Sequence, residues 1–182
     1  MNAWAPHMEY LIGFFGLLVG SFLNVCVYRL PRNQSVVFPP SRCTRCKKTI
    51  AWWDNIPVVS YMILGGRCRH CKKSISLRYP LVELTTAAIF LWVALRFPFD
   101  WTLPFLLYYS AVLLVVTLTD YDLQLIPDSL TLPGIVIGFL YLGVMQGEWA
   151  NSLLGILAGG GSLFLISEVY LKVRKREGMG GG

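Results

Sequence analysis

Four cysteines in two CxxC pairs are the first residues of this chain whose type and spacing could support chemistry. Cys43 pairs with Cys46 and Cys68 with Cys71, inside a short repeat in which CTRCKKTI is echoed by CRHCKKSI. Two such pairs about 20 residues apart have the spacing of a zinc ribbon, because each tight turn offers two sulfurs and two turns complete a tetrahedral shell. The spacing therefore predicts a structural Zn²⁺ site with four thiolate ligands.

Other interpretations of these cysteines are another metal ion, a pair of disulfides, or free thiols. Stable disulfides are rare in a reducing compartment, which is where the charge pattern described below places this loop. His70 could replace one ligand, but with four cysteines present we expect it outside the ligand set. Cys26 lies within an apolar run, and we expect it to be an inert packing residue.

A second group of chemistry-bearing residues consists of acids beside apolar segments, where lipid makes an ionisable group costly and a function is the default hypothesis. Most have a simpler alternative: Asp128 could be a helix N-cap, Asp122 a solvated loop acid, and Glu83 and Glu168 could pair with Arg78 and Lys172. The acids of this group are Glu83, Asp120, Asp122, Asp128 and Glu168.

Asp120 is the acid with the strongest case for a catalytic role, because it directly follows the apolar run LLVVTLT. Two carboxylates can hydrolyse a peptide bond when one is ionised and takes a proton from water while the other is protonated and donates to the carbonyl. Asp122 is two positions away, so on a helix the two side chains point in different directions. Asp120 therefore needs a partner from elsewhere.

The elements that position these residues are indicated by composition. Hydrophobic residues make up 55% of the 182 residues and charged residues 14%, against about 25% charged in soluble domains. Disorder, a disulfide-dense secreted module and a collagen-like fibre are excluded. A membrane-spanning helix needs about 20 apolar residues, and apolar runs of about this length occur at 9–28, 80–98, 102–120, 130–146 and 151–171.

The predicted fold class is an all-α polytopic membrane protein, with about five transmembrane helices and a cytosolic zinc-ribbon-like loop between the first two. We divide the chain into a first transmembrane helix at 1–28, the four-cysteine zinc-binding loop at 29–79, and the remaining transmembrane helices at 80–182. Three GxxxG spacings are expected to serve packing between helices of the same chain rather than a dimer face: Gly16 to Gly20, Gly134 to Gly138 and Gly155 to Gly159.

Charge placement gives the predicted topology. Lys and Arg concentrate between Arg29 and Arg78, where Asp54 is the only acid, and again in the run from Lys172 to Arg176. The positive-inside rule then places the loop and the C-terminal run in the cytosol and the N-terminus outside, with Trp4, Trp101 and Trp149 at the outer interface. Membrane orientation accounts for the basic balance, so we expect a lipid bilayer and no nucleic acid as partner.

Taken together, the residues resemble the bacterial type IV prepilin peptidases, which are leader peptidases and N-methyltransferases and belong to the GxGD type of membrane aspartyl protease. The resemblance runs through nearly the whole chain in five ordered blocks. They are GSFLNVCVYRLP at 20–31, PPSRCTRC at 39–46, NIPVVSY at 55–61, GGRCRHCKKSISLRYPLVE at 65–83 and DYDLQLIPDSLTLP at 120–133.

The resemblance implies cleavage of the leader of type IV prepilins and type II secretion pseudopilins at the cytosolic face of the bacterial inner membrane. It implies that Asp120 is the first catalytic aspartate, since the family pattern is Asp, five residues, then Ile-Pro. The second aspartate follows Gly-x-Gly, and here the sequence ends at Gly180–Gly182. The expectation is therefore a truncated chain that lacks peptidase activity by itself.

The resemblance also implies methylation of the new N-terminal amine with S-adenosylmethionine, an activity associated with the cysteine loop in the family. No strand followed by GxGxxG is present, so we expect no Rossmann-type methyl-donor site. Glu83 is only a candidate for that site. The sequence leaves the oligomeric state open, and a different function is an alternative: a non-enzymatic membrane protein whose cytosolic zinc ribbon binds a partner.

Overall fold

The computed structural model describes residues 7–174, which are helical with irregular connections. The predicted roles of Trp4, Lys175, Arg176 and the glycines 180–182 lie outside the described residues. In chain order the helices are α1 (Met8–Arg29), α2 (Val59–Ile63), α3 (Arg78–Arg96), α4 (Thr102–Leu123), α5 (Asp128–Leu140) and α6 (Trp149–Arg174).

Within residues 7–174, five helical segments are long and apolar enough to cross a membrane, which confirms the predicted fold class. Each coincides with one of the five apolar runs of the sequence. Helix α2, five residues long, lies in the loop before α3 and was not predicted. The five candidate spans are Met8–Arg32, Arg78–Arg96, Thr102–Leu123, Asp128–Met145 and Trp149–Val173.

The chain divides into two compact units, with the boundary between Thr119 and Asp120 near the end of α4. In the first unit, α1 and α3 pack closely because α1 presents glycines to α3. A Cβ atom built on Gly16 or Gly20 would lie 2.7 Å from the Cα of Ala87 or Glu83, respectively. Only a residue without a side chain permits this approach, so the packing role predicted for Gly16 and Gly20 is confirmed.

The two ends of this helix pair are fixed by different contacts. At one end, Val93 and Ala94 of α3 form a buried cluster with Leu103 of α4. At the other end, the Asn24 side chain of α1 donates hydrogen bonds of 3.2 Å to the carbonyl of Gly20 and to that of Tyr79 in the first turn of α3. The loop between α1 and α3 therefore begins and ends at neighbouring points.

In the second unit, α5 continues through a π-helical turn, Tyr141–Met145, before α6 begins. The Trp149 ring packs edge-on against Phe139, with 5.3 Å between ring centroids. Cβ atoms built at Gly155 and Gly159 of α6 would meet no atom within 4 Å. The prediction of packing within the chain is therefore wrong for this glycine pair among the described residues, and a Cβ atom at Gly134 would likewise meet no described atom within 4 Å.

Candidate functional site

The sequence repeat around the cysteines is also a structural repeat. In each CxxCKK turn the first cysteine's amide donates to the carbonyl five residues later, and its carbonyl accepts from the amide four residues later, at 2.9–3.0 Å. Lys47 and Lys72 take the same left-handed conformation, with φ of 59° and 57°. Isolated antiparallel bridges, Arg42 to Thr49 and Arg67 to Ser74, close the two turns.

The two turns bring the four cysteine sulfurs into one cluster, in which all four atoms lie within 4.8 Å of one another. The Cys43 and Cys71 sulfurs are 3.8 Å apart, much longer than a disulfide bond of about 2.05 Å. A tetrahedral site with Zn–S bonds of about 2.3 Å requires sulfurs about 3.8 Å apart. The donor set and its spacing therefore fit one tetrahedral metal ion, and His70 is not part of the cluster.

The pKa values of the thiols show why four thiolates need a cation. Backbone amides of Cys46 and Arg45 lower the pKa of Cys43 to about 6. The Lys48 amide also acts to lower the pKa of Cys46, but burial and contacts with the other three sulfurs outweigh it and raise that pKa to about 11. One thiolate thus discourages ionisation of its neighbours, and a divalent cation at the centre would remove this penalty.

A second set of contacts attaches the rest of the loop to the second cysteine turn. Asp54 accepts hydrogen bonds from two nitrogens of Arg69, at 2.6 and 2.8 Å, and these hydrogen bonds lower the pKa of the Asp54 carboxyl. The Tyr61 hydroxyl donates to the carbonyl of Ile75 at 3.2 Å. The short 3-10 helix Trp52–Asn55 and helix α2 are therefore held beside the cysteine cluster.

Glu83 is buried, with 7% of its surface exposed, although it carries a carboxylate. Its Oε2 accepts a hydrogen bond of 2.7 Å from the backbone amide of Val58, and the Ser21 side chain of α1 lies close to the same carboxyl group. The sequence indicates Arg78 as a candidate partner of Glu83. The hydrogen bond from Val58 is not predictable, because no spacing signal links residues 25 positions apart.

Val58 itself has an unusual backbone conformation, with φ of 59° and ψ of −49°. A positive φ is sterically unfavourable for a β-branched residue and is found where the surroundings enforce it. The Glu83 carboxylate is such a constraint, because it holds the amide at the centre of the turn. The NIPVVSY block is therefore a strained turn attached to the membrane-level part of α3.

A cavity of about 240 Å³ lies between α1 and the loop. Ser21, Phe22 and Arg29 line it from α1, and Val37 and Asn55 line it from the loop. Arg29 also donates to two loop carbonyls, those of Ser35 at 2.9 Å and Pro39 at 2.7 Å. The loop therefore lies along the last turns of α1.

Asp120 lies in the last turn of α4 with an exposed side chain. Its carbonyl accepts a hydrogen bond of 2.8 Å from the amide of Gln124, whose φ of 51° ends the helix in a left-handed conformation. Within residues 7–174 the Asp120 carboxylate makes no hydrogen bond or ion pair with another side chain. Asp122 is exposed as well, and the described part of this unit brings no second carboxylate into contact with Asp120.

The N-cap role predicted for Asp128 is wrong. The cap position of α5 is Pro127, whose ψ of 124° is extended, and the cap has no side-chain hydrogen bond. Asp128 is instead the first helical residue, where its charge still interacts favourably with the free amides of the first turn. Glu168 lies in α6 and is partly exposed.

Two protein-family models match the chain, one in its N-terminal half and one in its C-terminal half. The model of the bacterial Peptidase A24 N-terminal domain matches residues 14–97, which include the cysteine cluster and Glu83. The model of the type IV leader peptidase family matches residues 105–182, which include Asp120. No solved structure gives a significant match.

Characterised relatives match along nearly the whole chain, and each is named prepilin leader peptidase/N-methyltransferase. The protein of Neisseria gonorrhoeae is 35% identical, with all of this chain and 72% of the relative aligned. That of Myxococcus xanthus is 38% identical over 98% of this chain and 54% of the relative. That of Pseudomonas aeruginosa is 39% identical over 92% of this chain and 66% of the relative. The chain thus spans only part of the length of these relatives.

Proposed function

The chain belongs to the type IV leader peptidase family, and we propose on that premise that the protein is a bifunctional membrane enzyme. It removes the leader peptide from type IV prepilins and type II secretion pseudopilins, and then methylates the new N-terminal amine. The observation that carries this proposal is that relatives named for both activities align with the segment that holds the cysteines and with the segment that holds Asp120.

For the peptidase step, we assign Asp120 as one carboxylate of an aspartate pair. The ionised member takes a proton from the attacking water, and the protonated member donates a proton to the carbonyl oxygen of the scissile bond. The exposed position of Asp120 at the end of α4 suits a group that must reach a peptide. In the family pattern the partner carboxylate follows a Gly-x-Gly, the spacing of the glycines 180–182.

The proposed location is the inner membrane, with the N-terminus outside and both the cysteine loop and Asp120 on the cytosolic side. If all five candidate spans cross the bilayer, the end of α4 lies on the same side as the loop between α1 and α3. The cations of that loop favour the cytosol, in accordance with the positive-inside rule. This arrangement puts Asp120 where a short basic leader would lie.

In the cysteine loop, Cys43, Cys46, Cys68 and Cys71 would hold a structural Zn²⁺. All four positions are filled by protein sulfur, which is typical of a structural site rather than a catalytic one. The ion would fix the two turns against each other and keep α2 beside α3. The loop residues would thereby keep a fixed position for binding a ligand or substrate.

For the methylation step, S-adenosylmethionine would supply the methyl group, and Glu83 is the candidate for the donor site. The described residues contain no strand, so the Rossmann arrangement for methyl donors is absent from residues 7–174. Glu83 lies beside Ser21, which lines the cavity between α1 and the loop. A carboxylate at this position can accept hydrogen bonds from a bound donor or from the substrate amine.

The test of the peptidase assignment compares Asp120→Asn with Asp122→Asn in the protein reconstituted in lipid with a prepilin. We expect Asp120→Asn to lower the cleavage rate by at least about 100-fold, because a general acid or base contributes about 10²–10⁴. Asp122→Asn removes the same charge two residues away and should retain cleavage. Equal cleavage by both variants would show that Asp120 is not the catalytic acid, and absence of cleavage by the unmodified protein would favour the partner-binding alternative.

The test of the methyl-donor candidate uses Glu83→Gln, which keeps an oxygen to accept the Val58 amide. If Glu83 acts in methylation, this variant should still cleave the prepilin but transfer methyl groups from labelled S-adenosylmethionine more slowly. Loss of both activities together would instead indicate a structural role for Glu83. Unchanged methyl transfer would remove Glu83 from the donor site.

A further inference from the structure

The cysteine loop exposes large apolar side chains, although it connects two membrane-spanning helices outside the bilayer core. Phe38 is 74% exposed, Trp52 76%, Met62 73% and Ile63 76%. Soluble surfaces rarely carry this many large apolar groups on one short segment, and such patches mark a site of contact. The contacts that hold the loop indicate what this surface meets.

The first contact that holds the loop fixes the level along α3 at which α2 begins. Val58, the residue before α2, donates its amide to Glu83, which is the sixth residue of α3. At 1.5 Å per residue, Glu83 lies about 7.5 Å along the helix axis from Arg78. Helix α2 therefore begins at the level of the second turn of α3, and its exposed Met62 and Ile63 lie near that level rather than in bulk water.

A second contact fixes the segment that contains Phe38. Arg29, the last residue of α1, donates to the carbonyls of Ser35 and Pro39 on either side of this segment. Val37, next to Phe38, lines the cavity together with Leu18 of α1. This part of the loop thus lies along the last turns of α1 and at the membrane edge.

The charges of the loop indicate which kind of surface lies there. Asp54 is the only acid between Arg29 and Arg78, and its charge is already paired with Arg69. Acidic phospholipids attract such basic segments next to a membrane span. Trp52 and Trp53, which pack edge-to-face with centroids 5.4 Å apart, are of the residue type that prefers the headgroup layer. The remaining cations of the loop are Arg32, Arg42, Arg45, Lys47, Lys48, Arg67, Lys72 and Lys73.

We propose that the exposed apolar side chains of Phe38, Met62 and Ile63 lie in the headgroup layer of the leaflet next to the loop, where the surrounding cations bind acidic phospholipids. Helix α2 is then a short interfacial helix, and Glu83 sets its depth. The bilayer serves as a second support for the metal-binding cluster, beside α1 and α3. This role does not depend on peptidase or methyltransferase activity.

The experiment places the photoreactive amino acid p-benzoylphenylalanine at Phe38 or Ile63 in the full-length protein, with Lys48 as the matched exposed control. The protein is irradiated in nanodiscs of phosphatidylcholine with or without phosphatidylglycerol, and adducts are identified by mass. Zinc content verifies that each variant keeps the cysteine cluster. We expect phospholipid adducts at positions 38 and 63, several-fold above those at position 48, with a higher yield when phosphatidylglycerol is present.

Other outcomes would overturn the proposal. Cross-links from position 63 to a second copy, or to residues 120–174 of the same chain, would show that protein covers this surface. Equal adducts at positions 48 and 63 would show no preferential burial, and equal yields in both lipid mixtures would remove the role of acidic headgroups. A measurement without a photoreactive residue uses Trp52: in a comparison with Trp52→Phe, its emission should be quenched by brominated lipid more than by iodide in solution.

Discussion

The two units of this chain hold their candidate functional groups in different ways. In the first unit each group has a named partner: the four sulfurs contact one another, Glu83 accepts from Val58, and Asp54 accepts from Arg69. In the second unit, Asp120 is exposed at the end of a helix, and its carboxylate has no such partner among the described residues. The two units therefore differ in how far their own contacts determine the site.

The cause of this difference is the closeness of helix packing. Within the span of α3, 39% of the residues are buried, against 6% within the span of α6. Gly16 and Gly20 let α1 approach α3, so the polar groups at that interface lose water and must be satisfied by protein. Cβ atoms at Gly155 and Gly159 would meet no atom within 4 Å instead, so close packing does not remove polar groups from water there.

The difference suggests that the loop site is built by local contacts, whereas the described residues of the second unit place no such contacts around the Asp120 carboxylate. Substitutions in the first unit should thus have structural effects that stay local. Those in the second unit should leave the cysteine loop unchanged.

The largest expected effect comes from removing one of the four proposed zinc ligands. Cys68→Ser should abolish zinc binding and unfold the loop, because structural zinc contributes about 10–16 kcal/mol of apparent binding free energy in small zinc domains. The membrane helices should remain, since their contacts do not include the cluster. Zinc content and circular dichroism measure the two effects separately.

The matched control for Cys68→Ser is Cys26→Ser, which changes a buried cysteine of α1 outside the sulfur cluster. It should keep one zinc ion per chain. Full zinc content in Cys68→Ser would contradict the four-thiolate site. Loss of the helices together with the metal would contradict the view that the loop is a separate local structure.

The second prediction tests the packing difference with two glycines. A Cβ at Gly20 would lie 2.7 Å from the Glu83 backbone, so Gly20→Ala should destabilise the first unit by about 1–3 kcal/mol, as overpacking does. Gly159→Ala meets no atom within 4 Å and should be neutral or stabilising by up to about 1 kcal/mol, because alanine favours a helix. Unfolding in a denaturing detergent measures both, and equal destabilisation would contradict the comparison.

These differences explain how much of the structure could be predicted from sequence. Five membrane helices and the cysteine repeat were predictable because apolar runs and CxxC spacing are local signals. The contact between Glu83 and Val58 was not, since a backbone amide carries no residue-specific signal and the turn strains a β-branched residue. The GxxxG glycines pack against another helix at Gly16 but not at Gly155. The pattern does not specify which helix faces meet.

The role of Asp128 illustrates a smaller limit. Its residue type suits an N-cap, but the cap position depends on where the backbone leaves the extended region, and Pro127 holds that position. For Asp120, the sequence indicates an acid at a helix end, and the structure agrees. The second acid of the proposed pair is expected only from the family pattern of an aspartate after Gly-x-Gly, because proximity in space between two acids leaves no local signal.

The third prediction concerns backbone strain in each unit. Val58→Gly should stabilise the protein by about 1 kcal/mol, because a sparsely populated backbone conformation costs an L-residue about 1–3 kcal/mol and glycine offsets part of the gain through its freedom when unfolded. Gln124, with φ of 51° in the second unit, is not β-branched, so Gln124→Gly should gain less. Thermal unfolding of both variants provides the measurement. A destabilising effect of Val58→Gly would show that the valine side chain contributes more than its strained backbone costs.

The smallest expected effect concerns the ion pair between Asp54 and Arg69. Asp54→Asn should increase hydrogen exchange at the amide of residue 54, which donates to the Ala51 carbonyl at 2.9 Å, while zinc content stays unchanged. The matched control is Glu148→Gln, which alters an exposed contact of 3.3 Å with Asn151 in the second unit and should leave exchange in the loop unchanged. An equal response to both variants would mean that the ion pair does not support the loop.

The pH dependence of that effect follows from the lowered pKa of Asp54, which hydrogen bonds from Arg69 cause. A carboxyl with a lower pKa in the folded state contributes stability above its unfolded pKa of about 3.9, and loses it as pH falls through the folded value. The difference in hydrogen exchange at the amide of residue 54 between Asp54→Asn and the unmodified protein should therefore be constant between about pH 6 and 8, once the intrinsic pH dependence of exchange is subtracted. A difference that changes within this range would assign it to another titrating group, since Asp54 remains ionised throughout.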